Sequence, residues 1–262
     1  MSSGLKDFSL VRQVSRANLE RDVKYLSTAW PTRHTFSRHH DAIAAYLKNR
    51  LAQSTGEAHF HTYVQRGKTL KNVVGTTSPP PTKLVQGSVL FGAHFDSRQE
   101  DLGSPEAPAP GADDNATGIA VLLEVARLWK LFPGRKFDRV TFALFSGEEQ
   151  NLWGSTAYAK ERKDLKWVFN LDEVGYPPQK GPKYLFLDID ERGRKDNDAE
   201  SARLIARLED LAKTVVKVPT KRDPAEASDY MPFESLGVPI LGLYEGEYRY
   251  PHYISPPTRS TR

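Results

Sequence analysis

The stretch SVLFGAHFDS, residues 88–97, decides how the rest of the chain is read. An apolar run of strand length ends there in a histidine and an aspartate two positions apart. Side chains at i and i+2 share one face of a strand, so the spacing predicts His94 and Asp96 on the same side at the strand's end. Alone, the pair fits two readings. It is either a structural histidine held by an acid or a metal ligand whose second ring nitrogen is oriented by a carboxylate.

Downstream, helical and strand-like spacing alternate. NATGIAVLLEVARLWKLF (115–132) reads as a helix and RVTFALFS (139–146) as a strand, followed by a helix near 152–162. KWVFNLDEVG (166–175) and KYLFLDID (183–190) read as strands, 198–213 as a helix and PILGLYEG (239–246) as a last strand. Strands apolar on both faces, alternating with helices, predict a three-layer α/β/α sandwich with a mostly parallel, mixed central sheet. Upstream, 8–28 and 38–53 have helical spacing, the second with Ile43, Tyr46, Leu47 and Leu51 in one apolar stripe. Strand-like runs follow at 59–65 and 72–76, and the proline-rich TTSPPPTK (76–83) reads as a loop. His34, His39 and His40 flank the start of the second helix and read as surface or capping residues. With no repeat and no long linker, residues 1–262 are expected to form a single domain.

Composition narrows the chemistry. Lys plus Arg, 37, against Asp plus Glu, 33, leaves a net charge of +4 with no basic run of five or more, which gives no case for nucleic acid. No run of 18 apolar residues occurs and the N-terminus has no apolar signal core, so neither a membrane span nor a secretory leader is expected. With no cysteine, a thiolate metal site and a cysteine nucleophile are excluded, and any metal must be held by His, Asp and Glu.

Ligands of open α/β sheets bind beyond the carboxyl ends of the strands, and four acidic or histidine clusters stand at such ends. They are His94 with Asp96; Asp113, Asp114 and Asn115 in PGADDNATG; Glu148 and Glu149 in SGEE; and Asp172 in NLDE. Each alone fits a bland role: Asp114 a helix cap, the glutamates a solvated helix start, Asp172 a turn residue. Carboxylates gathered at one rim repel one another unless a cation or proton neutralises them. One imidazole with several carboxylates suits zinc, with manganese or cobalt as substitutes. A glutamate bound to metal loses its basicity, whereas a free neighbour can carry a proton from water to a leaving amine.

In this order, GAHFDS, APGADDNATGIAVLLEVAR, FSGEEQNLWGS, NLDEVG and SDYMPFESLGVPIL resemble the two-zinc aminopeptidases of clan MH, over nearly the whole chain. The resemblance implies a phosphorylase-like α/β/α fold and extracellular or vacuolar exopeptidases. It also implies peptide substrates with a free N-terminus, the α-amine lying against the acidic rim. It makes His94 and Asp172 ligands of one zinc, Asp114 the bridging carboxylate and Glu149 a ligand of the second zinc. Asp96 becomes the partner that orients His94, and Glu148 the general base and acid.

The sequence departs from that pattern near its end. The family takes a further histidine after the last strand, where YRYPHYISPPTRSTR places Ile254, with His252 two residues earlier. One tight zinc site is therefore expected, and a second short of a ligand. Tyr230 stands where relatives commonly have histidine, Asn151 replaces a glycine, and the chain is expected to stop before the family's closing helix. Two other functions share the scaffold: a single-zinc acyltransferase of the glutaminyl-cyclase kind, which keeps the late histidine, and a non-catalytic binding domain. Side-chain preference and oligomeric state stay open.

Overall fold

Along strand β4 (Arg139–Phe145) the side chains divide alternately between two layers. Phe142 and Leu144 join one apolar cluster, and Ala143 and Phe145 join another. Strand β3 (Ser88–His94) does the same with Val89 and Leu90, and β2 (Lys68–Thr77) with Val73 and Val74. Period-2 alternation of residues that are apolar on both sides forces helices onto both faces of the sheet. The first face carries α1 (Arg16–Thr28), α2 (His40–Thr55) and α3 (Gly118–Leu131), through Leu26, Ile43, Leu47, Leu51, Ile119 and Leu122. The second carries α4 (Trp153–Glu161) and α6 (Met231–Glu234), through Tyr158, Ala159 and Phe233. A long helix between them in sequence, α5 (Asp198–Leu211), packs Ile205 on Leu187 and Leu241. The computed structural model describes residues 10–77, 87–99, 104–131, 139–162, 164–176, 183–190, 195–225 and 227–245.

The remaining strands are β1 (Ala58–Gln65), β5 (Leu165–Leu171), β6 (Leu185–Ile189), β7 (Thr220–Pro224) and β8 (Ile240–Tyr244). The eight form one mixed sheet in the order β1-β2-β4-β3-β5-β8-β6-β7. Its centre, β4-β3-β5-β8, is parallel, and β1 and β2 extend it as an antiparallel hairpin. Strands β4, β3 and β5 are neighbours, so their carboxyl ends open at one edge. The expected architecture is thus the observed one. Two elements had no signal in the sequence: α6 is a single turn, and β7, TKRDP, is polar and ends in proline. Strand β7 lies at the sheet's margin, where a missing N–H and charged side chains are tolerated.

His40 is not a surface or capping residue. It is 1% exposed, stacks on Phe95 with centroids 5.6 Å apart, and its Nε2 accepts a bond from the Lys71 amide at 3.3 Å. Burial lowers its pKa from 6.5 to about 4, so between those values the unfolded chain holds more protons than the folded one. Stability contributed by neutral His40 is therefore complete above the unfolded value and is lost as pH falls towards the folded one. The loss is bounded at about 3 kcal/mol. Urea unfolding at about pH 7 and about pH 4 should show His40→Gln losing less stability on acidification than wild type by up to that amount. Equal losses in the two proteins would remove His40 as the cause.

Candidate metal centre

His94 is the last residue of β3, and its ring points over the strand end at 1% exposure. Its Nε2 lies 3.1 Å from Asp114 Oδ1 and 3.1 Å from Asp172 Oδ1. Ligand atoms of these three residues all fall within 4.8 Å of one another, the one such group of three among the described residues. Four donors about 2.0 Å from a tetrahedral zinc stand about 3.3 Å apart, so the observed spacing is that of a coordination edge. Asp114 Oδ1 is also buried without a hydrogen bond of acceptable geometry, although the imidazole is close by. One imidazole nitrogen and two carboxylate oxygens, one of them the orphaned Asp114 Oδ1, fit a zinc ion.

Asp114 reaches this point because the helix cap is its neighbour. Asp114 and Asn115 leave helical backbone geometry within the turn Ala112–Thr117, and Asn115 Oδ1 accepts the Gly118 amide at 2.9 Å. The same side chain donates to Leu171 O at 2.8 Å and accepts the Glu173 amide at 3.3 Å. Asn115 thus caps α3 and ties it to the end of β5 beside Asp172, which leaves the Asp114 carboxylate free to face His94. Gly118 permits the close approach, since a Cβ there would sit 2.3 Å from Asn115 Oδ1 and 2.4 Å from Leu171 O. Asp172 stands one residue beyond β5, and its Oδ2 accepts from Ser228 Oγ at 2.6 Å, itself held by Asn170 Nδ2 at 2.7 Å. That pair turns the other oxygen towards His94.

Asp96 lies past the strand end and fully buried. His94 Nδ1 is 3.1 Å from the Asp96 carbonyl and 3.7 Å from its carboxylate. The carboxylate itself accepts the amides of Glu148 at 3.2 Å and Glu149 at 3.3 Å and the Thr35 hydroxyl at 3.0 Å. It therefore fixes the imidazole's strand end and the glutamate pair at once. Burial alone would raise the Asp96 pKa, but the nearby His94 imidazole, with the Thr35 and Glu148 donors, holds it below the usual value.

Glu148 is pushed well above the usual carboxylate range, first by burial and then by the charges of Asp172, Asp229 and Asp96, with His94 opposing. Glu149 is likewise raised, by burial and then by Asp114. Its Oε2 lies 2.6 Å from Arg98 Nε, and its Oε1 is buried without a hydrogen bond. The structure thus gathers His94, Asp114 and Asp172, sets Asp96 and the two glutamates beside them, and pairs Glu149 with arginine. His252 and Ile254 lie outside the described residues.

Sequence reading gave no role to Arg33, Thr35, Arg98, Asn170, Ser228 or Asp229. Asp229 is 1% exposed, and burial raises its pKa to about 7. Glu173, raised to about 10 by burial and then by Asp114 and Asp172, was read only as the neighbour of Asp172. Of these, Ser228 and Asp229 lie in SDYMPF, and Asn170 and Glu173 in NLDE, stretches the sequence singles out without assigning them a role.

Fold and rim together define an α/β protein of the kind that binds its ligand beyond the carboxyl ends of a parallel sheet core. The chain belongs to Peptidase family M28, whose sequence profile matches residues 72–256. A probable zinc metalloprotease of Pyrenophora tritici-repentis is 31% identical over 192 residues, 64% of this chain and 38% of that protein. Aminopeptidase YwaD of Bacillus subtilis is 31% identical over 202 residues, 72% of this chain and 39% of that one. The chain therefore spans about two fifths of these curated relatives. Among solved structures, the aminopeptidase from Aneurinibacillus sp. strain AM-1 superposes with a TM-score of 0.74 at 16% identity, covering 96% of this chain and 90% of that one.

Proposed function

We propose that this chain is a zinc-dependent aminopeptidase that hydrolyses the first peptide bond of peptides with a free N-terminus. The observation that carries the reading is the convergence of His94, Asp114 and Asp172 from three separate segments. Names of the relatives, zinc metalloprotease and aminopeptidase, support it. His94, Asp114 and Asp172 would hold one zinc, and Glu149 would serve a second. A zinc ion supplies Lewis acidity that polarises an acyl oxygen and acidifies water.

The chain's own groups do the rest. Glu148, placed by its amide on Asp96, takes a proton as water oxygen bonds to the carbonyl carbon, and delivers it to the amine nitrogen as the C–N bond breaks. Ser228 keeps Asp172 in the orientation that faces His94. The substrate's α-ammonium lies against the anionic rim, which favours peptides over acylated N-termini.

Metal analysis with a leucine p-nitroanilide assay tests the reading. The expected result is at least one zinc retained per chain, loss of activity on chelation and its return with added zinc. Hydrolysis indifferent to chelation, or a chain that takes up no zinc, overturns it.

A further inference from the structure

The segment Thr32–Thr35, between α1 and α2, lies outside the stretch matched by the family profile, yet it runs directly behind the metal centre. Arg33 is 0% exposed and is among the largest fully buried side chains in the protein. Its guanidinium donates to four carbonyls. Nε binds Phe95 O at 2.9 Å, Nη1 binds Leu26 O at 3.1 Å and also Pro110 O, and Nη2 binds Gly111 O at 2.8 Å. Phe95 stands between His94 and Asp96, and Pro110 and Gly111 open the turn that delivers Asp114. One planar fork therefore spans the two chain segments whose separation sets the His94–Asp114 distance.

The neighbouring groups repeat the connection. The Arg33 amide donates to Ser97 Oγ at 3.1 Å, and that hydroxyl donates to Ala109 O at 2.7 Å. Thr32 bridges to Ala109, whose amide donates to Pro31 O at 2.8 Å. Thr35 Oγ1, 0% exposed at residue level, donates to Asp96 Oδ2 at 3.0 Å. At Gly111, φ is +50°, and a Cβ would lie 2.7 Å from Arg33 Nη2 and 2.3 Å from Asp114 O, so the fork sits on the turn with no room for a side chain between them.

Burying a cation is an expensive way to gain stability, since well-packed apolar side chains often do as well. A guanidinium offers what they cannot, five donors in a fixed plane. We propose that Arg33 and Thr35 are positioning residues, a clasp from outside the matched family core that sets the spacing of His94, Asp96 and Asp114 for metal binding. This rests on the metal-centre reading above.

The test uses the full chain as Arg33→Lys and Thr35→Val. Lysine keeps the charge but not the fork; valine keeps the shape but not the hydroxyl. Zinc affinity is read by chelator competition, the ligand field by cobalt absorption, and fold by melting of the metal-free protein. Loss of groups that orient ligands typically weakens binding about 10- to 100-fold, and that is the change expected in both variants, with a shifted cobalt spectrum. The metal-free melting point of Thr35→Val should stay within about 4 °C of wild type. Folded variants that bind zinc within about twofold of wild type overturn the clasp alone. If Arg33→Lys does not fold, Thr35→Val decides by the same criterion. A wild-type chain that binds no zinc removes the metal centre and the clasp with it.

Discussion

Replacing Glu148 by glutamine lowers kcat by about 10²- to 10⁴-fold while leaving the zinc content of the chain unchanged, the range a positioned general base contributes. The split follows from where the residue stands. Its side chain is not among the three whose ligand atoms converge, so the metal keeps His94, Asp114 and Asp172. Its main-chain bond to Asp96 survives the substitution, so Asp96 and the neighbouring Glu149 stay in place. Glutamine fills nearly the same volume but cannot accept and return a proton, and KM should change little because binding of the α-amine falls to the rest of the rim. Kinetics with leucine p-nitroanilide, beside metal analysis of the same preparation, reads both quantities. A variant that keeps activity within about tenfold, or loses zinc in step with it, assigns the base elsewhere.

Much of this site was legible because its parts obey local rules. Two-residue spacing at a strand end, a polar turn before an apolar helix and acidic pairs after apolar runs each have a structural meaning that a single sequence displays. The alternating strand and helix pattern likewise placed β3, β4 and β5 correctly, since their residues are apolar on both faces. What could not be read is what long-range contact decides. Asn115 rather than Asp114 caps α3, a choice made by the carbonyl of Leu171, 56 residues away. His40 reads as a surface or capping residue because nothing acidic recurs beside it at ligand spacing, and only packing on Phe95 shows otherwise. Arg33 carries no local sign of burial at all, since arginine is almost never fully buried unless its donors are matched, and its partners lie up to 78 residues away. Strand β7 had neither alternation nor apolar content, because a margin strand can be polar.

Replacing His94 by alanine should empty the metal centre. Four ligands supply about 10–16 kcal/mol of zinc binding in structural sites, so one ligand's share is about 3 kcal/mol, or at least about 100-fold in affinity. The loss here goes further than a missing bond, for His94 is also what lies between the two acids. Its Nε2 stands 3.1 Å from an oxygen of each, and without it Asp114 and Asp172 face each other across a cavity as like charges. Asp172 keeps Ser228, but Asp114 Oδ1 already has no hydrogen bond and would gain no partner. Zinc content after dialysis should fall below one per chain, and activity should fall with it, recovering in part as free zinc is raised. That recovery separates this variant from Glu148→Gln, where added zinc changes nothing. If the alanine variant instead keeps its zinc and its activity, the metal is held by other residues, and Asp114 and Asp172 return to their local roles as turn and strand-end acids.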